Sequence, residues 1–162
     1  MPDHTDHTRP ERPSRAYLDA VARETAGRAA AAEPLTSPHD GAPEALRAAV
    51  AEGLNAVRDE IVALSRALHA EPETAFREHR SVAAVAELLA RHGVEAEVGV
   101  HGLDTALRAR TGNGGGPTVA VLAEYDALPG LGHACGHNVI AAAAVGAGLG
   151  LAALADDLGL TV

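Results

Sequence analysis

Cys135, the chain's one cysteine, lies between His133 and His137 with a single residue on either side, in the run VAVLAEYDALPGLGHACGHNV from Val119 to Val139. Asp126 and Glu124 precede the cluster. Soft thiolate, imidazole and carboxylate together suit zinc or a similar divalent transition ion. A lone cysteine is ordinarily inert packing. Here it leaves a strand end and enters a helix, and a helix amino terminus and a nearby cation both favour thiolate over thiol.

Cys135 and His137 can reach one point if the backbone turns at Gly136. His133 has the same separation on the other side, but three ligands from so short a segment would crowd. It is therefore expected as a loop residue that helps to orient a ligand. Asp126 fits two roles equally, capping the turn before Pro129 or hydrogen-bonding a metal-bound imidazole. Glu124 is a lesser candidate of the same kind. A different chemistry uses the same residues: Cys135 as a nucleophile with His137 as its base, which needs a group to orient the histidine.

Such a cluster has to be held in place. Thr118 to Ala123 is apolar enough for a central strand covered on both faces. Asn138 to Leu154 predicts a helix, in which Ala143, Gly146 and Gly148 allow close approach and Gly159 marks the end. This order of strand, loop and helix is the layout in which open α/β sheets carry their sites. Leu160 to Val162 predicts the opening of another buried strand.

Upstream, Leu46, Val50, Leu54, Val57, Ile61, Leu64 and Leu68 recur every three or four residues from Glu44 onward, one stripe of a long helix. Arg47, Glu52, Asp59 and Arg66 lie on its other face, and Glu71-Pro72-Glu73 stops it. A second helix is expected from Phe76 to His92, with Gly93 at its left-handed end. Val94 to Val100 and Thr105 to Arg110 read as strands paired antiparallel, Leu107 and Ala109 facing inward. The GNGGGP stretch, Gly112 to Pro117, predicts a flexible connection; it lacks the Lys-Ser/Thr ending and following helix of a phosphate loop.

The first 43 residues predict a separate extension. Residues 1–15 hold three prolines and almost nothing apolar, and are expected to be disordered, including His4 and His7. Tyr17 to Ala32 could form a helix on which Tyr17, Leu18 and Val21 share a face, and Glu33 to Pro43 reads as a linker.

The totals bound the rest. With 162 residues there is room for one domain, 44–162, and 47% apolar content with 2% aromatics means a core of Ala, Val and Leu. A net charge of −9 argues against nucleic acid or an anionic membrane as partner. A single cysteine is simplest in a reducing cytoplasm. No stretch has the length of a signal peptide or a membrane span.

The string AEYDALPGLGHACGHNVI (Ala123 to Ile140), preceded by LHAEPETAFRE (Leu68 to Glu78), resembles the zinc aminoacylase and carboxypeptidase family of metallopeptidases. Within it, the likeness is to the amidohydrolase branch that includes Xaa-Arg dipeptidases and aminobenzoyl-glutamate hydrolase subunits, and it covers about residues 44 to 162. The resemblance implies the amino-terminal part of an α/β catalytic domain, with a mixed sheet flanked by helices. It implies Cys135 and His137 as metal ligands and Asp126 as the catalytic-site residue that supports them. It also implies two divalent ions, zinc first and manganese or cobalt as alternatives, and hydrolysis of an amide bond in a small N-acyl amino acid or dipeptide.

In the family a Glu acts as general base on the attacking water, another Glu and two histidines complete the metal shell, and a separate domain makes a homodimer. After Asn138 this chain has no further His and only Asp156 and Asp157 as acids. Those parts are therefore expected beyond Val162, and with them the homodimer, which is not expected of this chain. The alternative is a catalytically inactive fragment or metal-binding module that retains the fold.

Overall fold

The computed structural model describes residues 14–34 and 36–162. They fall into two units, one up to Gly41 and one from Ala42 to Val162. In the first, helix α1 (Arg15–Ala31) starts at Ser14, whose Oγ accepts from the Tyr17 N–H at 3.2 Å. The disorder expected of residues 1–15 lies outside the described residues as far as 13; at Ser14 and Arg15 it is corrected, because the serine cap satisfies an amide that would otherwise be orphaned. Tyr17, Leu18 and Val21 are all exposed, and no residue of α1 is buried.

The second unit is built on helix α2 (Glu44–Ala70). Its apolar stripe faces inward as the spacing predicts, with Val57, Leu64 and Leu68 buried, while Arg47, Glu52, Asp59 and Arg66 are exposed. It ends at Glu71, held at φ −129° and ψ 67° ahead of Pro72. Helix α4 (His137–Ala152) lies against it. A Cβ added at Gly146 would stand 2.7 Å from Ile61 Cδ1, and one at Gly150 would stand 3.4 Å from Leu54 Cγ. The close-approach face is thus Gly146 and Gly150, one turn apart. The sequence pointed to Ala143 and Gly148 as well, but Ala143 is exposed and Gly148 meets open space. The helix also stops at Ala152, and turns carry the chain on to Gly159.

Helix α3 (His79–Arg91) starts three residues later than its apolar pattern implied. Phe76 takes a left-handed φ of 65° and closes a turn in which the Arg77 N–H donates to the Thr74 carbonyl at 3.0 Å, so helical geometry can begin only after it. Val85, Leu88 and Leu89 of α3 meet Val57, Leu64 and Leu68 of α2 and Ala141, Val145 and Leu149 of α4 in one core. Gly93, at φ 76°, ends the helix as expected.

Strands β1 (Ala96–Val98) and β2 (Leu107–Ala109) pair antiparallel, Ala96 opposite Ala109 and Val98 opposite Leu107. Both are shorter than the alternation implied. Gly99 in a left-handed conformation turns the chain into a 3-10 turn at Val100–Gly102, which leaves Val98 exposed and Val100 buried.

The largest correction concerns Thr118 to Ala123. Only its first residues join a ladder: Thr118 bridges Thr161, the Val119 N–H donates to the Thr161 carbonyl at 2.8 Å, and Val162 and Thr111 exchange hydrogen bonds at 3.0 Å. Beyond Val119 no ladder forms among the described residues, and Leu122 is 85% exposed. Apolar composition equips a segment for burial on both faces, but a strand also needs a neighbour to complete its hydrogen bonds and a layer on each side. Here the three residues Leu160 to Val162 supply a short neighbour. The sheet that forms is two-stranded and antiparallel rather than mixed, consistent with part of an α/β domain. Beside it opens a cavity of about 670 Å³ lined by Val85, Leu89, Leu107, Val121 and Val145; neither Cys135 nor His137 borders it.

The glycine-rich connection packs against the turn that follows α4. Asn113 Nδ2 donates to the Asp156 carbonyl at 3.1 Å, and a Cβ at Gly112 would meet the Leu160 carbonyl oxygen at 2.0 Å. No helix among the described residues is long and apolar enough to cross a membrane.

Candidate metal centre

Two elements deliver the candidate donors. The first is the chain leaving Ala123, which turns through Asp126 and Ala127; the second is the amino terminus of α4, which begins at His137. Between them the loop closes on itself, the Leu128 N–H donating to the Gly132 carbonyl at 2.9 Å and the Gly136 N–H to the His133 carbonyl at 2.9 Å. Gly136 then takes φ 83° and ψ 19°, the turn that the Cys-Gly-His spacing required, and nothing lies where its Cβ would be.

His137 is held tightly. Its Nδ1 lies 2.8 Å from Asp126 Oδ1 and 3.0 Å from the Asp126 carbonyl oxygen. A carbonyl oxygen only accepts, so Nδ1 carries the proton and, in the neutral ring, Nε2 carries the lone pair. Asp126 thus hydrogen-bonds the His137 imidazole. The hydrogen bond to Asp126, outweighing partial burial, pushes the His137 pKa above the usual imidazole value, with the Asp126 and Glu124 charges adding to the shift. Glu124 Oε2 lies 3.7 Å from Nε2, too far for a hydrogen bond and near enough for attraction.

Cys135 is a free, exposed thiol. Cys135 and His137 fit a borderline-soft ion in donor chemistry, and the contact with Asp126 sets the ring orientation of His137. They are two donors only: among the described residues, no group of three or more His, Cys, Asp or Glu side chains converges to hold an ion. The thiol-nucleophile reading gains an orienting group for its histidine in Asp126. It lacks the other half, since the ring nitrogens of His137 face Asp126 and Glu124 and no hydrogen bond joins them to the thiol.

The His133 side chain makes no hydrogen bond to Cys135 or His137. It is 8% exposed, and neither ring nitrogen has a partner within hydrogen-bonding geometry. Burial first, and then the neighbouring charge of His69, holds its pKa below the usual value, against an opposing pull from the Leu68 backbone. Asn138 points away from the donors, its Nδ2 donating to Ser65 Oγ at 3.0 Å and to the Ser65 carbonyl at 3.2 Å, which ties the first turn of α4 to α2.

Sequence reasoning did not assign Glu73 and Glu78. Glu73 accepts from the Ser81 N–H and hydroxyl, each at 2.8 Å, and from the Arg80 N–H at 3.2 Å, so its carboxylate caps α3 from outside. Burial would raise its pKa, but the backbone bonds from Ser81 and Arg80 outweigh it and hold the carboxyl below its ordinary value. Glu78 is buried and accepts from the Thr105 hydroxyl at 2.6 Å. The signal was present as two acids in the turn after Pro72, but nothing in their spacing says what they bond.

No family model matches the chain. It is 40% identical to an Xaa-Arg dipeptidase of Mus musculus over 124 residues, which is 71% of this chain and 29% of that protein. An Xaa-Arg dipeptidase of Homo sapiens is 35% identical over 127 residues, with the same shares. A thermostable carboxypeptidase of Saccharolobus solfataricus is 37% identical over 105 residues, covering 56% of this chain and 26% of that protein. The chain thus spans under a third of the length of these relatives.

Proposed function

We propose that the chain is a partial region of the peptidase and amidohydrolase family of these relatives, and that it supplies one wall of a metal-dependent amidohydrolase site. Cys135 and His137 are its ligands and Asp126 fixes the imidazole. The whole enzyme of this kind would hydrolyse the amide bond of a small N-acyl amino acid or a dipeptide, the latter in line with the dipeptidase names of two relatives. It would use two divalent ions, zinc before manganese or cobalt, and act in the cytoplasm as a homodimer. The observation that carries the reading is the paired contact of His137 Nδ1 with the carboxylate and the carbonyl of Asp126.

The chemistry divides between ion and protein. A bound ion would polarise the scissile carbonyl and lower the pKa of water. The residues present prepare for it: Asp126 keeps the Nδ1 proton in place and so turns the Nε2 lone pair outward, and the exposed Cys135 offers a soft anionic donor. A catalytic ion takes about three protein ligands and an open position, so two donors predict weak binding and no turnover by the 162-residue chain.

The test is titration of the metal-free chain with Co²⁺ and Zn²⁺, beside Cys135→Ser and His137→Ala. Wild type should take up one ion and both variants should lose it; unchanged stoichiometry in Cys135→Ser removes that residue from the site. Hydrolysis of N-acyl amino acids or dipeptides by the purified chain, above a metal-free control, would overturn the division of labour. Absence of any metal uptake would favour an inactive module that retains only the fold.

A further inference from the structure

Asp126 is itself held in place from both sides by one short turn. On its amino-terminal side, the Tyr125 hydroxyl donates to the Thr105 carbonyl, and the Thr105 hydroxyl donates to Glu78 Oε2 at 2.6 Å. Thr105 and Glu78 are 6% and 7% exposed, so the bond between their side chains is buried. On its carboxyl-terminal side, the Ala127 N–H donates to the Glu73 carbonyl at 2.7 Å, and Thr74 bridges Ala127. Glu73 is in turn fixed by the Ser81 and Arg80 bonds to its carboxylate. Both flanks of Asp126 therefore lead back to the turn from Glu73 to Glu78, closed by the left-handed Phe76.

We propose that this turn, with Thr105 and Tyr125, is a clamp that aims the Asp126 carboxylate at His137 Nδ1, which makes Tyr125, Thr105 and Glu78 positioning residues for the metal ligand. The proposal rests on the reading of His137 as a ligand for its functional meaning, though not for its geometry. A turn that served only to connect α2 to α3 would need neither a buried carboxylate aimed at Thr105 nor a backbone bond across to Ala127. Burying Glu78 is favourable only while the Thr105 hydroxyl satisfies it. The arrangement thus enforces one position of Thr105, hence of Tyr125, hence of the next residue. Outer partners of metal-bound histidines change affinity by about 10- to 100-fold when removed.

The experiment uses the whole 162-residue chain with Tyr125→Phe and Thr105→Val, which delete one hydroxyl each at nearly constant shape, and Asp126→Asn as reference. Nitrogen-15 NMR of the metal-free protein reports the His137 tautomer, and Co²⁺ titration reports affinity. The expected result is the Nδ1–H tautomer in wild type, a mixture with Nε2–H in both hydroxyl variants, and about a 10-fold loss of Co²⁺ affinity in each. Wild-type tautomer and affinity in a folded Tyr125→Phe or Thr105→Val protein would overturn the clamp. Should one variant not fold, the other decides. If the tautomer shifts as expected while wild type binds no Co²⁺, the clamp stands and the ligand reading of His137 falls.

Discussion

His137 Nδ1 and Asp126 meet twice, at the carboxylate oxygen 2.8 Å away and at the backbone carbonyl oxygen 3.0 Å away. The double contact fixes the tautomer as well as the position of the ring, because one of its two acceptors cannot donate under any protonation state.

Replacing Asp126 should therefore weaken metal binding without removing a ligand. Asp126→Asn leaves the backbone acceptor and withdraws the charge, and is expected to reduce Co²⁺ affinity by about 10- to 100-fold. Isothermal titration against wild type measures the difference; equal affinities would separate Asp126 from the site.

Cys135 is exposed and free, so its thiol should react readily with iodoacetamide in the apo protein. Saturating zinc should slow that reaction through direct coordination, and His137→Ala should abolish the protection. Alkylation at the same rate with and without zinc would show that the sulfur faces no ion.

The two glycine environments of α4 predict opposite mutational signs. Gly148 meets open space, so Gly148→Ala should stabilise by about 0.5–1 kcal/mol through helix propensity alone. Gly146 has Ile61 Cδ1 at 2.7 Å from its would-be Cβ, and Gly146→Val should destabilise by about 1–3 kcal/mol through overpacking. Urea denaturation of both variants checks the pair.

Acid sensitivity should involve Glu73. Its carboxyl is held below the ordinary 4.5 in the folded chain, so it binds its proton less readily folded than unfolded. The stability it contributes is full above that ordinary value and is lost as pH falls through the lower folded value. Glu73→Gln should be less stable than wild type near neutrality, and the gap should narrow in acid. A gap that widens below pH 4.5 would contradict the sign.

The sequence carried the helices well where a stripe of Leu and Val had a continuous partner. The inward face of α2, its stop before Pro72 and the left-handed Gly93 follow from local periodicity and backbone sterics. It carried the antiparallel pairing of β1 with β2 as well, since both strands alternate and follow one another closely in the chain. It did not carry the state of Val119 to Ala123, because an apolar run records what a segment would tolerate, while strand formation depends on neighbours far away in the chain. Nor could it distinguish Gly146 from Gly148, since both sit in one helix and only the partner surface tells them apart.

For the site, the residue types alone singled out the candidate donors: one thiol and one imidazole around a glycine that has to turn, in a loop ahead of a helix. That Asp126 bonds the His137 ring, that His133 is buried without a partner, and that Glu73 and Glu78 reach both flanks of Asp126 were decided only by the tertiary structure. The physical reason is range. Coordination chemistry and turn geometry are properties of a few consecutive residues, whereas a hydrogen bond such as that between Thr105 and Glu78 joins groups 27 residues apart and exists only once the core has brought them together.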